Sequence, residues 1–254
     1  MHVEVTFTPA EFGLLRQRDL SDSACVIFDV LRATSTIVTA LARGADSILP
    51  VASIEAALKQ READRTILLA GERAGLRITG AISGGPDFDL GNSPREYTAQ
   101  LVRGRRIVTT TTNGTRAFAA CRGARQVLAA SFLNLRRTAE HLLRAGCERV
   151  VLVCSGTGEN VAFEDCLGAG ALCHELVRLN ARINLCDSAH FVADMLSANA
   201  DDFEAAMEKS SNARRLLAIP ELAEDVSFCM TENLYPIVVA SNPDGWLYRA
   251  AINQ

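Results

Sequence analysis

The sequence predicts an α/β fold, a three-layer α/β/α arrangement around a mostly parallel or mixed central sheet. Three observations lead to it. Short β-branched runs alternate along the chain with longer stretches of helical spacing, the pattern of strand–helix–strand units. The run RVVLVC at 149–154 is almost wholly apolar and stops at SGTG, which is how a strand buried on both faces reads. Hydrophobic residues make up 48% of the 254, enough for a substantial core, and the length fits one large α/β domain spanning 1–254 or two small subdomains.

The N-terminus, MHVEVTFTPAE, alternates as a half-buried strand does and places the first strand at Val3–Phe7. A second, Cys25–Val30, holds an aspartate near its end. Thr34 or Ser35 stands where a side chain caps the helix expected over Thr36–Arg43. Strands at Ile48–Val51 and Ile67–Leu69 flank a helix at Ile54–Glu62. The helix expected over Pro94–Val102 has Ser93 as its capping hydroxyl and proline at its first position. Strand and helix then alternate through Arg106–Thr109, Thr115–Arg122, Gln126–Ala130, Leu133–Ala145 and Arg149–Cys154. In the helix Asp165–Leu179, Glu164 and Asp165 sit where carboxylates offset the helix dipole. After the helix His190–Ala198, residues 186–236 read as a mostly helical covering layer with solvated charge rather than as a site. Residues 225–254, with a strand at Ile237–Ala240, read as one or two edge strands. The stretch 71–93 has six glycines and no helical period, and a loop of that length in a compact domain is usually functional or disordered.

Several classes are disfavoured. A net charge of −4 without a Lys/Arg-rich block argues against nucleic acid as a partner. No run reaches the roughly 18 apolar residues of a membrane helix. The N-terminus lacks the basic-then-apolar pattern of a signal peptide, so a soluble, cytoplasmic protein is expected. Eight cysteines without a CxxC pair, some inside apolar runs (Cys25, Cys173), read as free core thiols rather than a disulfide framework. Zinc lacks its ligand spacing. GTGEN at 156–160 is not the dinucleotide fingerprint, and no P-loop motif occurs.

Ligands of open α/β sheets bind outside the carboxyl ends of the strands, and four such ends carry polar clusters here. The first holds Asp29, with Arg32, Thr34 and Ser35 behind it. It reads either as a capped turn with an Asp29–Arg32 ion pair or as a metal or nucleophile carboxylate beside an anion site. The second holds Glu72 and Arg73, followed downstream by Asp89 and Asn92. It reads as a solvated turn, or as further site residues. The third, TTTTNGTR at 109–116, combines β-propensity and capping with a competent oxyanion cradle of Thr111, Asn113, Gly114 and Arg116. The fourth, CSGTGENVAFEDC at 154–166, brings Ser155 and Gly156 together with Glu164 and Asp165. Acid, arginine and hydroxyl together are the mix that phosphoryl chemistry uses: carboxylate-held Mg²⁺ and arginine neutralise the phosphoryl oxygens while hydroxyls and amides orient them.

The blocks FDVLRATSTIVTAL, GERAG…FDLGNSPREY, TTTTNGTRA and VCSGTGENVAFEDCLGAG, in that order over about 28–170, resemble the 2-phosphosulfolactate phosphatases. These are Mg²⁺-dependent acid phosphatases named for a step in coenzyme M biosynthesis. The resemblance implies a three-layer fold and hydrolysis of (R)-2-phospho-3-sulfolactate to 3-sulfolactate and phosphate. It implies catalytic roles for Asp29, Arg32, Glu72 and Asp165, and Mg²⁺ carboxylates drawn from Asp29, Glu72, Asp89, Glu164 and Asp165. It implies substrate contacts from Thr34, Ser35, Arg73, Asn92, Thr111, Asn113, Gly114, Arg116, Ser155 and Gly156. The chain departs from the family pattern at 81–87, AISGGPD, which reads as an insertion in the pocket wall. The substrate carries about four negative charges, so several arginines are physically reasonable. The partners expected are this small phosphorylated anion and, as an option, further copies of the chain, with no nucleic acid and no membrane.

Two routes to product stand open, metal-activated water or an aspartyl-phosphate on Asp29. A rival enzyme reading makes Cys154 a strand-end nucleophile, against the plainer one of a buried core cysteine. From another class, the protein reads as a non-catalytic anion-binding module, which has little need for so many carboxylates facing an anionic ligand.

Overall fold

A computed structural model describes residues 1–180 and 182–251. Among them, the strands are β1 (His2–Thr6), β2 (Ser23–Phe28), β3 (Ser47–Pro50), β4 (Leu68–Arg73), β5 (Leu76–Arg77), β6 (Arg106–Thr110), β7 (Gln126–Ala130), β8 (Arg149–Cys154), β9 (Asn184–Leu185), β10 (Val239–Ser241) and β11 (Leu247–Arg249). The helices are α1 (Phe12–Leu15), α2 (Ala33–Ala42), α3 (Ile54–Ala63), α4 (Gly80–Ser83), α5 (Ala99–Val102), α6 (Gly114–Ala120), α7 (Leu135–Ala145), α8 (Phe163–Leu179), α9 (Asp187–Ser197), α10 (Phe203–Glu208), α11 (Ser211–Leu217) and α12 (Pro220–Cys229).

The strands form one sheet in the order β5-β4-β6-β3-β11-β10-β7-β2-β8-β1-β9. It is built as two parallel half-sheets. In one, β7, β2, β8, β1 and β9 run together, with Cys25 opposite both Val127 and Val151. In the other, β4, β6 and β3 run together. The β10–β11 hairpin joins them through three antiparallel pairings, so the half-sheets run in opposite directions.

Helices cover both faces, as the three-layer expectation requires. On one face α7, α8 and α9 pack against β1, β2 and β8 around Val26, Phe28, Leu152 and Leu172, and α10 to α12 add an outer layer through Met207, Leu216 and Val226. On the other, Phe12 of α1 and Ala117 of α6 pack on Cys25, Ile27, Val151 and Val153. Each wholly buried aliphatic side chain of these clusters contributes about 2 kcal/mol from its removal from water. Helix α2 spans the seam: Ile37, Val38 and Leu41 sit in one cluster with Ile48 of β3, Ala129 of β7, Val239 and Leu247.

Three expectations are corrected. The C-terminal strands do not lie at an edge; they are the hairpin in the middle of the sheet, and residues 252–254 of that expected span lie outside the described residues. Strands of three residues are too short to display the two-sided burial that marks a central position. The helix expected over Pro94–Val102 is broken into a 3-10 turn at Pro94–Glu96 and α5, because the buried Tyr97 between them turns inward and its hydroxyl donates to Gly91 O at 2.8 Å. The stretch 71–93 is largely organised: β5 folds back on Glu72–Arg73, and Ile78 and Phe88 are buried against Ala57 of α3. Its 81–87 segment stays exposed, beside Leu58 of α3.

Candidate active site

The turn after β2 is locked by its own hydroxyls. Thr34 Oγ1 bridges the Asp29 backbone, accepting from its N–H at 3.1 Å and donating to its carbonyl at 3.0 Å, and Ser35 Oγ donates to Val30 O at 2.8 Å. Both hydroxyls are buried inside α2, so neither caps it. Asp29 does: its Oδ1 accepts from Ala33 N–H at 3.0 Å, satisfying one of the orphan donors of the helix start.

Asp29 Oδ2 accepts no hydrogen bond among the described residues and points at the turn after β6. A side chain on Gly114 would bring its Cβ within 2.7 Å of that oxygen and 2.9 Å of Ala33 Cβ, so only glycine lets the two half-sheets' turns meet. Thr111 Oγ1 lies 3.3 Å from the same Cβ position and, although buried, has no hydrogen-bond partner among the described residues. Ser155 Oγ, after β8, is likewise buried and unpartnered. Buried hydroxyls without partners are uncommon and carry a desolvation penalty, which a bound polar ligand would relieve.

Around this centre stand four buried carboxylates, those of Asp29, Glu72, Glu164 and Asp165. Asp165 ties two turns together, its Oδ1 accepting from Val30 N–H at 2.8 Å and its Oδ2 from Gly156 N–H at 3.0 Å. Gly156 has a positive φ of 67° and presses on Pro9, where a Cβ would fall 2.5 Å from the ring. Glu72 accepts at Oε1 from the Thr112 N–H (2.9 Å) and hydroxyl (3.0 Å), and at Oε2 from Gly75 N–H (2.7 Å). Glu164 accepts from Ser210 Oγ and Asn212 Nδ2, each at 2.6 Å.

Burial pushes the Asp29 carboxyl up to about 7, helped by the charges of Glu72 and Glu164 and opposed by the Ala33 N–H and the Arg32 guanidinium. Burial also pushes Asp165 well above the usual carboxylate range, with Glu164 and Asp29 adding to it. Like charges gathered in a buried place are what a bound cation would relieve. Among the described residues no three His, Cys, Asp or Glu side chains converge as a ready metal cage. The donor set nonetheless fits Mg²⁺, which commonly takes one or two carboxylates and completes its shell with water and substrate phosphate. Asp29 Oδ2 is the oxygen that could hold it beside the Thr111 hydroxyl, and Asp165, each of whose oxygens already accepts one backbone N–H, could supply a second.

The arginines are less free than the sequence implies. Arg32 does not pair with Asp29; its Nη1 donates to Asp225 of α12 at 2.6 Å and its Nη2 to Gly75 O at 2.6 Å. Arg73 donates to Glu72 O at 2.7 Å and, more weakly, to Thr110 Oγ1 at 3.3 Å. Arg116 pairs with Glu159 at 2.8 Å, and Asn113 Oδ1 accepts from Gly158 N–H at 3.3 Å, so both belong to the rim where α6 meets the 155–160 loop. Asn92 is buried, and its carbonyl accepts from Thr36 Oγ1 at 2.8 Å. With Thr111 and Gly114 it lines a cavity of about 10 Å³, room for one water. Asp89 stands apart from the other acids: it pairs with Arg61 and accepts from Leu69 N–H at 2.7 Å. Ser93 does not cap the following turn; its hydroxyl donates to Asp225 at 2.7 Å. Cys154 is wholly buried, and its contact with Cys166 and its burial push the thiol well up, the opposite of an activated nucleophile.

The family model described as 2-phosphosulpholactate phosphatase matches residues 11–243. The chain belongs to the 2-phosphosulpholactate phosphatase family. Relatives named "Probable 2-phosphosulfolactate phosphatase" include one from Thermotoga petrophila, 41% identical over 84% of this chain and 86% of its own length. Others come from Carboxydothermus hydrogenoformans (36% identical, 97% of this chain and 94% of the relative) and Deinococcus radiodurans (40%, 89% and 91%).

Within this family member the outer helical layer is part of the candidate site, contrary to its reading as solvated cover. Asp225, Ser210 and Asn212 were not singled out. Asp225 had a signal: it falls on the apolar face defined by Leu222, Val226 and Cys229, where an isolated acid needs a partner. Ser210 had none beyond that of an ordinary helix cap, since its hydroxyl also accepts from Ala213 N–H.

Proposed function

We propose that the protein is a Mg²⁺-dependent phosphomonoester hydrolase that converts (R)-2-phospho-3-sulfolactate to 3-sulfolactate and phosphate. The observation that carries this reading is the approach of Asp29 Oδ2 to Gly114 and Thr111, at turns drawn from both half-sheets, with the buried acids Glu72, Glu164 and Asp165 close enough for their charges to act on one another. Mg²⁺, when bound at Asp29 and Asp165, supplies the positive charge that neutralises phosphoryl oxygens. The chain's own groups do the rest. Arg32 and Arg73 offer their remaining N–H groups to the anion, the Thr111 and Ser155 hydroxyls orient it, and Asp29 works in its charged form. A single turnover with ³²P-labelled substrate decides whether the phosphoryl group passes through Asp29: a labelled, acid-stable protein species requires it, and its absence assigns the attack to water.

A place in coenzyme M biosynthesis goes with this reading and rests on the family resemblance, and a cytoplasmic location is proposed with it. Among the described residues no helix is long and apolar enough to cross a membrane. The test is phosphate release from 2-phosphosulfolactate, phospholactate and p-nitrophenyl phosphate, with Mg²⁺ and with EDTA. Release that needs Mg²⁺ is expected. Absence of turnover on every phosphomonoester would replace the enzyme with an anion-binding protein.

A further inference from the structure

Asp225 is completely buried in α12, in the layer that covers the sheet. Its Oδ2 accepts from Arg32 Nη1 at 2.6 Å, and its Oδ1 accepts from Ser93 Oγ at 2.7 Å and Arg95 Nε at 2.8 Å. On its far side the Arg32 guanidinium donates to Gly75 O, while Gly75 N–H donates to Glu72, which in turn accepts from Thr112. A continuous path of hydrogen bonds thus runs from α12 through Arg32 and Glu72 into the turn that carries Thr111. A buried ion pair is poor at stabilising a fold compared with apolar packing of the same volume, and its best-attested use is to specify one arrangement. Here it fixes the Arg32 guanidinium, whose side chain is only 2% exposed, three residues along the turn from Asp29.

We infer that Asp225 is a positioning residue for the reaction: it holds the Arg32 guanidinium in the one orientation that leaves its free N–H groups for the phosphate beside Asp29. The inference rests on the reading of Arg32 as a phosphate-facing group. Arg95 holds Asp225 in turn, since its other guanidinium nitrogens donate to Glu224 and to Glu221 O.

The test is a double-mutant cycle over Arg32→Lys and Asp225→Asn in the full chain. It is read both as inorganic phosphate affinity by calorimetry and as kcat on 2-phosphosulfolactate. Each single substitution lowers both about tenfold or more, and the double mutant is no worse than Arg32→Lys alone, the non-additivity of groups that act through one another. Additive losses would overturn the proposal, because a purely structural Asp225 adds its effect to that of Arg32. Should Asp225→Asn fail to fold, Arg95→Gln decides: Arg95 is 34% exposed and removes one anchor of Asp225. A drop of about threefold in kcat and phosphate affinity at an unchanged unfolding temperature is expected there, and no drop would refute the role. Wild-type protein that binds phosphate but hydrolyses no phosphomonoester strikes down the phosphatase reading and leaves the phosphate cycle to judge Asp225. Wild-type protein that neither binds phosphate nor hydrolyses a phosphomonoester overturns both.

Discussion

Asp29 is the side chain on which the proposed chemistry turns. Its carboxyl keeps its proton to about 7 in the folded protein, against an ordinary value of 3.8 in the unfolded chain. The folded state therefore binds the extra proton between those values. The stability it confers is fully present below about pH 4 and is lost as the pH rises through 7, on the order of a few kcal/mol. Metal-free protein should accordingly show a falling unfolding temperature across that window. Asp29→Asn should flatten the fall and abolish turnover, and Mg²⁺ at pH 8 should restore the stability of the wild type but not of the variant. Thr111 gives a second prediction. Its hydroxyl is buried and unpartnered, so Thr111→Val should keep or raise the unfolding temperature while lowering kcat about tenfold. A loss of stability with unchanged kcat would make the hydroxyl structural.

Among the elements, the turns after β2 and β8 are tied to each other: the Asp165 carboxylate of α8 accepts from Val30 N–H at 2.8 Å, and Ser155 N–H donates to the backbone carbonyl of Phe28 at 2.8 Å. The rim is looser. Arg116 of α6 reaches the 155–160 loop through Glu159 and a long bond to Gly158 O at 3.3 Å, and its side chain is 41% exposed. Exposed pairs contribute about 0–1 kcal/mol, so Arg116→Ala should leave the unfolding temperature nearly unchanged. It should raise KM several-fold with kcat within about twofold, as loss of uniform binding does. A large fall in kcat with constant KM would move Arg116 into the reactive wall.

For the whole molecule, the hairpin decides the assembly. β10 and β11 join two half-sheets that otherwise share no strand pairing among the described residues, and α2 packs across the join. Deleting residues 237–251 should open β3 and β7 as unpaired edges and strip Val239 and Leu247 from the α2 cluster. The truncated protein is expected in the insoluble fraction, or without a cooperative unfolding transition. A soluble, cooperatively folding truncation would show that each half-sheet stands alone.

Periodicity and strand-end polarity are local, and they made much of this protein readable in advance. Gln126–Ala130 and Arg149–Cys154 are strands over the expected residues because β-branched and apolar runs leave no other good burial. Asp29, Thr111, Ser155 and Asp165 stood out because acids and hydroxyls at strand ends are expensive unless used. The sequence by itself therefore determined the layers, most elements and the residues from which the candidate site is drawn. Only the tertiary structure decided which of them meet. Arg32 pairs with an acid 193 residues away rather than with its neighbour, and the last strands enter the middle of the sheet. Pairing of that range depends on how two oppositely directed half-sheets and a covering layer pack at once, and no local pattern records it.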